Sequence, residues 1–368
     1  KPEIVAAALK GVKIDTGLKI SDVKPAPTIE IVNTPSTTDK DEVQVTLKIN
    51  EQRGGGIGDI RLYLNGVSVK TDNARTIARQ TNTSVYKTYT LKLLNGKNDI
   101  RAIVYNEANS MNSRDALHTV TTNFTKEHKP TLHALIIGIN EFINPKLTLN
   151  YASSDAELFS NTLKQSAKGL FEEISVTTLN IKSNTTKQSI IDAIQSYKNI
   201  NPNDLFVFYV ASHGTVDDGE YYLITSNVGS TSTRKLKQDA ISQDELKNLL
   251  ANVPTTKKMI VLDTCNAGKM GDALQLAMLT RGMSEDTAMK LLSRAVGSTI
   301  LSAANSQQEA LEGYKGHGLF TYVLSEGLKG KADSNHDGFV KTRELSNYVE
   351  DEVPELAQKV YNRVQFPV

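Results

Sequence analysis

From Leu132 onward, short continuous apolar runs alternate with helix-length segments, and this alternation constrains the fold more than any other feature of the 368-residue chain. The run from Leu132 to Asn140 has the composition of a strand covered on both faces. Spacing then predicts a helix over Ser154–Ser166, a strand over Ser175–Leu179, a helix over Thr186–Lys198 and a strand over Leu205–Val210. A helix over Asp244–Leu250, strands over Lys258–Leu262 and Thr299–Ser302, and a helix over Leu319–Leu328 continue the series. Strands and helices in that order specify a three-layer α/β/α sandwich on a mainly parallel sheet.

Ahead of that region the periodicity is different. Thr28–Val32, Glu42–Ile49 and Thr88–Leu93 alternate in apolar character, as half-buried strands do. Asn65-Gly66, set between Ile60–Leu64 and Val67–Val69, signals a tight hairpin, and Gly54-Gly55-Gly56 and Asn95-Gly96 supply further turns. About seven short strands in roughly 100 residues predict an immunoglobulin-like β-sandwich. The Cys–Trp–Cys core of antibody domains is absent, since the chain has no Trp and one Cys. Such a domain either docks a protein partner or acts as a spacer. Glu3–Leu9 has helical spacing and Ser21–Pro27 reads as a linker, so the organisation is 1–26 helical segment and linker, 27–126 β-sandwich and 131–368 α/β domain.

Net charge of +1 argues against a nucleic-acid or anionic-membrane footprint. One Cys rules out an internal disulfide framework and leaves the compartment open. No run of about 18 apolar residues is present, so the expectation is a soluble protein, with the cytoplasm favoured. Lys1 follows no Met and no signal pattern, as in a fragment or a processed form.

Two of the buried runs lead into reactive residues. Leu205–Val210 is followed by Ala211-Ser212-His213-Gly214, and Met259–Leu262 by Asp263-Thr264-Cys265-Asn266-Ala267-Gly268. The His is thus expected to leave the end of one strand and the Cys the end of another, where chemistry collects in a parallel sheet. The 52 residues between them leave room for the crossover that parallel strands need. A thiol and an imidazole so placed can act as nucleophile and base. The plain alternative is a buried small hydrophobe and a satisfied core histidine. Gly214, Ala267 and Gly268 let the backbone approach a ligand closely. The N–H groups of Gly214 and Cys265 can then face a developing oxyanion.

These segments resemble the caspase-like cysteine peptidases (clan CD, family C14), and their bacterial metacaspase and orthocaspase branch more than animal caspases. Leu149–Ala156 resembles that family's helix-opening segment, Leu301–Ala310 its strand after the processing linker, and Gly316-His317-Gly318-Leu319-Phe320-Thr321 the helix that follows. The similarity covers about Leu132 to Val368. Ser212, and Asn266-Ala267 after the Cys, depart mildly from the commonest Gly-His-Gly and Cys-His-Ser-Gly forms. The resemblance implies a cysteine-type endopeptidase (thiol protease) with Cys265 as nucleophile and His213 as general acid/base. No carboxylate orienting His213 can be named.

The same resemblance places Asp263 and Asp155 in the S1 pocket, which takes the residue before the scissile bond. Two carboxylates in a partly dry pocket repel each other unless a cation neutralises them. Arg does so with bidentate hydrogen bonds and Lys as a point charge. Proteins or peptides cut after Arg or Lys are therefore the expected substrates, Arg before Lys. Against this stands Asp155 as a cap of its own helix and Asp263 in a structural pair. Residues 269–296 form a possible processing linker, with self-cleavage expected at Lys269 or Arg281. Helical spacing over Ala273–Leu279 and Glu285–Leu292 would protect it.

Near the end, Asp333–Glu344 fits the twelve-residue EF-hand calcium loop. Asp333, Asn335, Asp337, the carbonyl of Phe339 and Glu344 take ligand positions, and Gly338 the sharp turn. Lys341 at the ninth position opposes a cation. The alternatives are a Ca2+ site, structural or activating, and an Asx-rich turn without metal. The chemistry itself requires no cofactor. Asp217-Asp218-Gly219-Glu220 reads as a solvated turn. A caspase-like scaffold that binds without cutting is the second reading of the whole chain; retention of both His213 and Cys265 favours the enzyme.

Overall fold

The computed structural model describes residues 24–73, 84–124, 129–217, 220–230, 232–266, 299–303 and 311–367. Glu3–Leu9, Ala304–Ala310, the 269–296 linker with Lys269 and Arg281, and Asp218-Gly219 lie outside the described residues, as does the side chain of Cys265. The chain divides into two units at Thr125/Lys126.

In the first unit the alternating residues form strands whose apolar sides face one another across two sheets. Strands β1 (Thr28–Val32), β3 (Glu42–Asn50) and β6 (Val85–Lys92) make an antiparallel sheet. The second has the order β2-β8-β7-β4-β5, from β2 (Thr37–Thr38), β4 (Asp59–Leu64), β5 (Val67–Asn73), β7 (Gly96–Val104) and β8 (Ala116–Thr122). All its pairs are antiparallel except β2 with β8. Val45, Leu47 and Ile49 of β3 share one core with Ile60, Leu62 and Leu64 of β4 and Ile100, Ala102 and Val104 of β7. The predicted hairpin is present: Asn65 and Gly66 both have positive φ, 51° and 86°, as a two-residue turn with right-handed twist requires. This unit is the expected immunoglobulin-like β-sandwich.

The second unit is the expected α/β sandwich. Its strands are β9 (Leu132–Gly138), β10 (Ile174–Leu179), β11 (Leu205–Asp217), β12 (Glu220–Leu223), β13 (Ile241–Ser242), β14 (Lys257–Asn266) and β15 (Thr299–Ser302). β10, β9, β11, β14 and β15 lie side by side, all parallel. The helices are α1 (Ala152–Ser166), α2 (Lys187–Gln195), α3 (Thr233–Asp239), α4 (Gln243–Ala251), α5 (Leu319–Glu326) and α6 (Thr342–Leu356). Apolar residues of α1, α5 and α6 pack with Ile136, Val207, Tyr209 and Val261 on one face. Those of α2, α3 and α4 pack with Leu135, Phe208, Val210 and Ile260 on the other. Covered on both sides, the strands need no polar alternation.

One expectation is corrected. His213 does not leave the end of its strand, because β11 runs further than its apolar core, whereas Cys265 stands one residue from the end of β14. β11 continues through polar residues to Asp217 and β14 to Asn266. Beyond the end of β9, the extension of β11 is paired by antiparallel β12, from Gly214↔Leu223 to Asp217↔Glu220, and on its other side β14 follows it to Gly214↔Asn266. Ladder partners, not side-chain hydrophobicity, keep it extended.

Candidate active site

The long parallel pairing of β11 with β14 sets the register of the site. His213 and Cys265 are direct Cα partners across the ladder, with Ala211↔Asp263 two steps before. Neighbouring strands stand roughly 5 Å apart, and partners in a parallel ladder share a face. Residues 52 apart in sequence are thus adjacent on the sheet.

His213 is buried, 5% exposed, and packed against Phe142 with ring centroids 5.5 Å apart. Its Nε2 lies 2.8 Å from the carbonyl oxygen of Leu147, in the loop before α1. A carbonyl only accepts, so Nε2 carries the proton and Nδ1 is the basic nitrogen. A main-chain oxygen therefore does the orienting for which no carboxylate could be named. Any residue type can supply it, so the sequence held no sign of it. Gly214 has a packing role as well: a Cβ there would sit 2.7 Å from the ring of Tyr221, whose hydroxyl donates to Thr264 Oγ1 at 3.2 Å.

The structure brings the two sequence-singled carboxylates together. A Cβ on Gly318 would lie 2.9 Å from Oδ2 of Asp155 and 3.5 Å from Oδ2 of Asp263, so both acids border the space above that glycine. Asp155 does not cap its own helix. It reaches across to the start of α5, where the Gly318 N–H donates to its Oδ1 and Oδ2 at 2.9 and 3.1 Å. There it gains from the positive end of that helix. Asp263 accepts from the hydroxyl of Thr321 on α5. Thr321 Oγ1 is in turn 2.6 Å from the hydroxyl of Tyr209 on β11. No cation pairs with Asp263 among the described residues.

Both carboxyls are buried, 4% and 7% exposed. Burial above all, and then the charge of Asp263, push Asp155 well above the usual carboxylate range, with the Gly318 N–H acting the other way. Burial likewise pushes Asp263 up, opposed by the Thr321 hydroxyl and reinforced by Glu312. Both carboxyls thus favour keeping a proton. Glu312, Thr321 and Tyr209 join these acids without a sign in the sequence that they do so. Their contacts are long-range, and no local pattern announces them.

The EF-hand-like loop has the expected backbone. Asp333 accepts the N–H of Asp337 and of Gly338, Asn335 accepts that of Asp337, and Glu344 that of Lys341. Among the described residues no group of three or more His, Cys, Asp or Glu side chains is placed to hold a metal ion. Lys341 Nζ is bonded to Asp337 instead. One of the would-be ligands, Asp337, is thus already engaged by an ammonium. Also among the described residues, no helix is long and apolar enough to cross a membrane.

The parallel sheet of this α/β sandwich thus pairs a His and a Cys across β11 and β14. A family model described as the caspase domain (peptidase family C14) matches residues 131–366, and the chain belongs to that family. A search of curated proteins finds no match. Among solved structures, caspase-1 from Spodoptera frugiperda is 17% identical over 66% of this chain and 86% of that one, with a TM-score of 0.37. The CARDB domain of a Pyrococcus furiosus protein, solved in complex with di-metal ions, is 22% identical over 27% of this chain and 94% of that one, with a TM-score of 0.22.

Proposed function

We propose that this chain is a cysteine endopeptidase that hydrolyses peptide bonds after Arg or Lys, of the metacaspase or orthocaspase kind. One observation carries the reading: His213 and Cys265 are register partners on parallel strands, with Nε2 of the imidazole held by the Leu147 carbonyl. His213 Nδ1 takes the thiol proton and Cys265 Sγ attacks the carbonyl carbon of the scissile bond. The backbone N–H groups of Gly214 and Cys265 receive the oxyanion. As the intermediate collapses, the C–N bond breaks and His213 passes its proton to the leaving amine. A water molecule, deprotonated by His213, then cleaves the thioester and restores the thiol.

Specificity follows from the pair of buried acids. A guanidinium satisfies two carboxylates with parallel hydrogen bonds and removes their repulsion. An Asp side chain would add a third charge. The chemistry needs no metal, and calcium at Asp333–Glu344, structural or activating, would first have to displace the Lys341 ammonium from Asp337. The β-sandwich is assigned the docking of substrate or of a protein partner.

Arg-, Lys- and Asp-ended fluorogenic peptides, offered to this protein and its Cys265→Ala form, test the reading. Turnover after Arg or Lys that vanishes in the variant is expected. Preference for Asp would overturn the specificity, and turnover surviving in Cys265→Ala would overturn the dyad. If Lys269 or Arg281 is a self-cleavage point, intact mass will fall on incubation of the active protein but not of Cys265→Ala.

A further inference from the structure

The two acids of the pocket are held by different kinds of partner. Hydroxyl groups of Thr321 and Tyr209, both buried, attend Asp263. Asp155 has the Gly318 N–H and, 3.2 Å from its Oδ1, the Nδ1 of His317. That imidazole is half-buried and open to solvent protons, with 24% of its side chain exposed.

Its position is fixed by a tight turn. The Gly313 N–H donates to the His317 carbonyl at 2.9 Å, and the His317 N–H to that of Tyr314 at 3.1 Å. Lys315 and Gly316 turn the chain with φ of 52° and 83°. Ser154 Oγ, one residue before Asp155, donates to the Gly316 carbonyl at 3.2 Å, so the turn and α1 are also tied directly.

We propose that His317 is a positioning residue of the S1 pocket, whose charge state sets the affinity for a basic P1 residue. The inference rests on the Arg/Lys reading above. Neutral His317 donates Nδ1–H to Asp155 and holds the carboxylate in place. Protonated His317 places a full positive charge 3.2 Å from the oxygen that a substrate guanidinium must also use. Burial, and then Lys329 in the turn after α5, favour the neutral form. Glu312, five residues before it in the chain, and Asp263 act on Asp155, both raising its proton affinity. Lys315 is turned away onto Tyr322, 2.8 Å from its hydroxyl.

The test is kcat and KM for an Arg-ended peptide from about pH 5.5 to about pH 8.5 in the unaltered protein, His317→Gln and His317→Ala. Glutamine can donate an N–H but cannot take a charge. At high pH its KM should match the unaltered value within about twofold, whereas His317→Ala should raise KM about tenfold, with kcat little changed in either. At low pH the unaltered KM should rise about tenfold more than that of His317→Gln, because only the imidazole becomes cationic. Superimposable KM profiles for the unaltered protein and His317→Gln, with Arg cleavage intact, would overturn the role of His317 and leave the specificity standing. An unaltered protein that prefers Asp-ended peptides would instead overturn the specificity itself. A melting temperature of His317→Gln equal to that of the unaltered protein ensures that KM reports the pocket.

Discussion

Asp155 and Asp263 differ from the acids of the Asp333–Glu344 loop in burial and in the partners already present, although the residue types are the same. In the pocket both carboxyls are buried, their donors are neutral or near-neutral, and both are pushed above the ordinary carboxylate range. In the loop Asp337 is exposed and Asp333 and Glu344 are half-buried, all three accept backbone N–H groups, and Asp337 has the ammonium of Lys341 bonded to it, which pulls its carboxyl down. Repulsion and desolvation leave the first pair wanting a cation; the second set already has one. An acidic cluster in a sequence is therefore not a cation site until burial and internal partners are known.

The sharpest way to break the comparison is to remove one buried charge. Asp263→Asn keeps an oxygen for the Thr321 hydroxyl and abolishes the charge. Its kcat/KM for Arg-ended peptides should fall about a hundredfold or more, the scale of losing one partner of a buried ion pair. Turnover of a peptide with an uncharged residue before the scissile bond should survive. Equal losses on both peptides would mean that Asp263 supports the strand carrying Cys265 rather than the pocket.

Stability against pH gives the next largest effect. Asp155 and Asp263 are held above their unfolded values, so the folded protein keeps protons that the unfolded chain releases. Their contribution is fully present below the unfolded value and is lost as pH rises through the folded values. Between about pH 4.5 and 6.5 the substrate-free protein should lose up to about 1.4 kcal/mol per pH unit for each proton so held. Lys258, held down to about 7 by burial, is largely charged in both states across that window and adds little slope. Asp155→Asn should flatten the curve; a slope equal to that of the unaltered protein would show that the acids do not share a buried proton.

Much of this molecule was legible in its residues, and what was not has a physical reason. Apolar runs such as Leu132–Gly138 and Leu205–Val210 point to buried strands because runs this short, with β-branched or aromatic residues in them, suit a strand covered on both faces. The extension of β11 to Asp217 was hidden, since its ladder partners lie in β12 and β14 and its own side chains carry no strand pattern. α3, of seven residues, is mostly polar and buries little beyond Leu236, so hydrophobic spacing barely marks it. In the site, Asp155 and Asp263 stood out as acids beside recognisable motifs. His317 lies 162 residues from Asp155, and the Leu147 carbonyl belongs to the main chain. Contacts of that kind exist only after folding.

The smallest effect belongs to the loop, and it sharpens the comparison from the other side. Lys341 and Asp337 are both well exposed, so their ion pair contributes little to stability, and Lys341→Gln should leave the melting temperature nearly unchanged in a calcium-free buffer. What should change is the response to metal. With Lys341 in place, millimolar calcium should leave the melting temperature where it was, because the ammonium already sits on a would-be ligand. In Lys341→Gln that oxygen is released while Asp333, Asn335, Asp337 and Glu344 keep their EF-hand spacing, so calcium should raise the melting temperature through its preference for the folded loop. A rise of equal size in the unaltered protein would mean that the ammonium yields to the ion, and that exposed acids with an internal cation can still bind one.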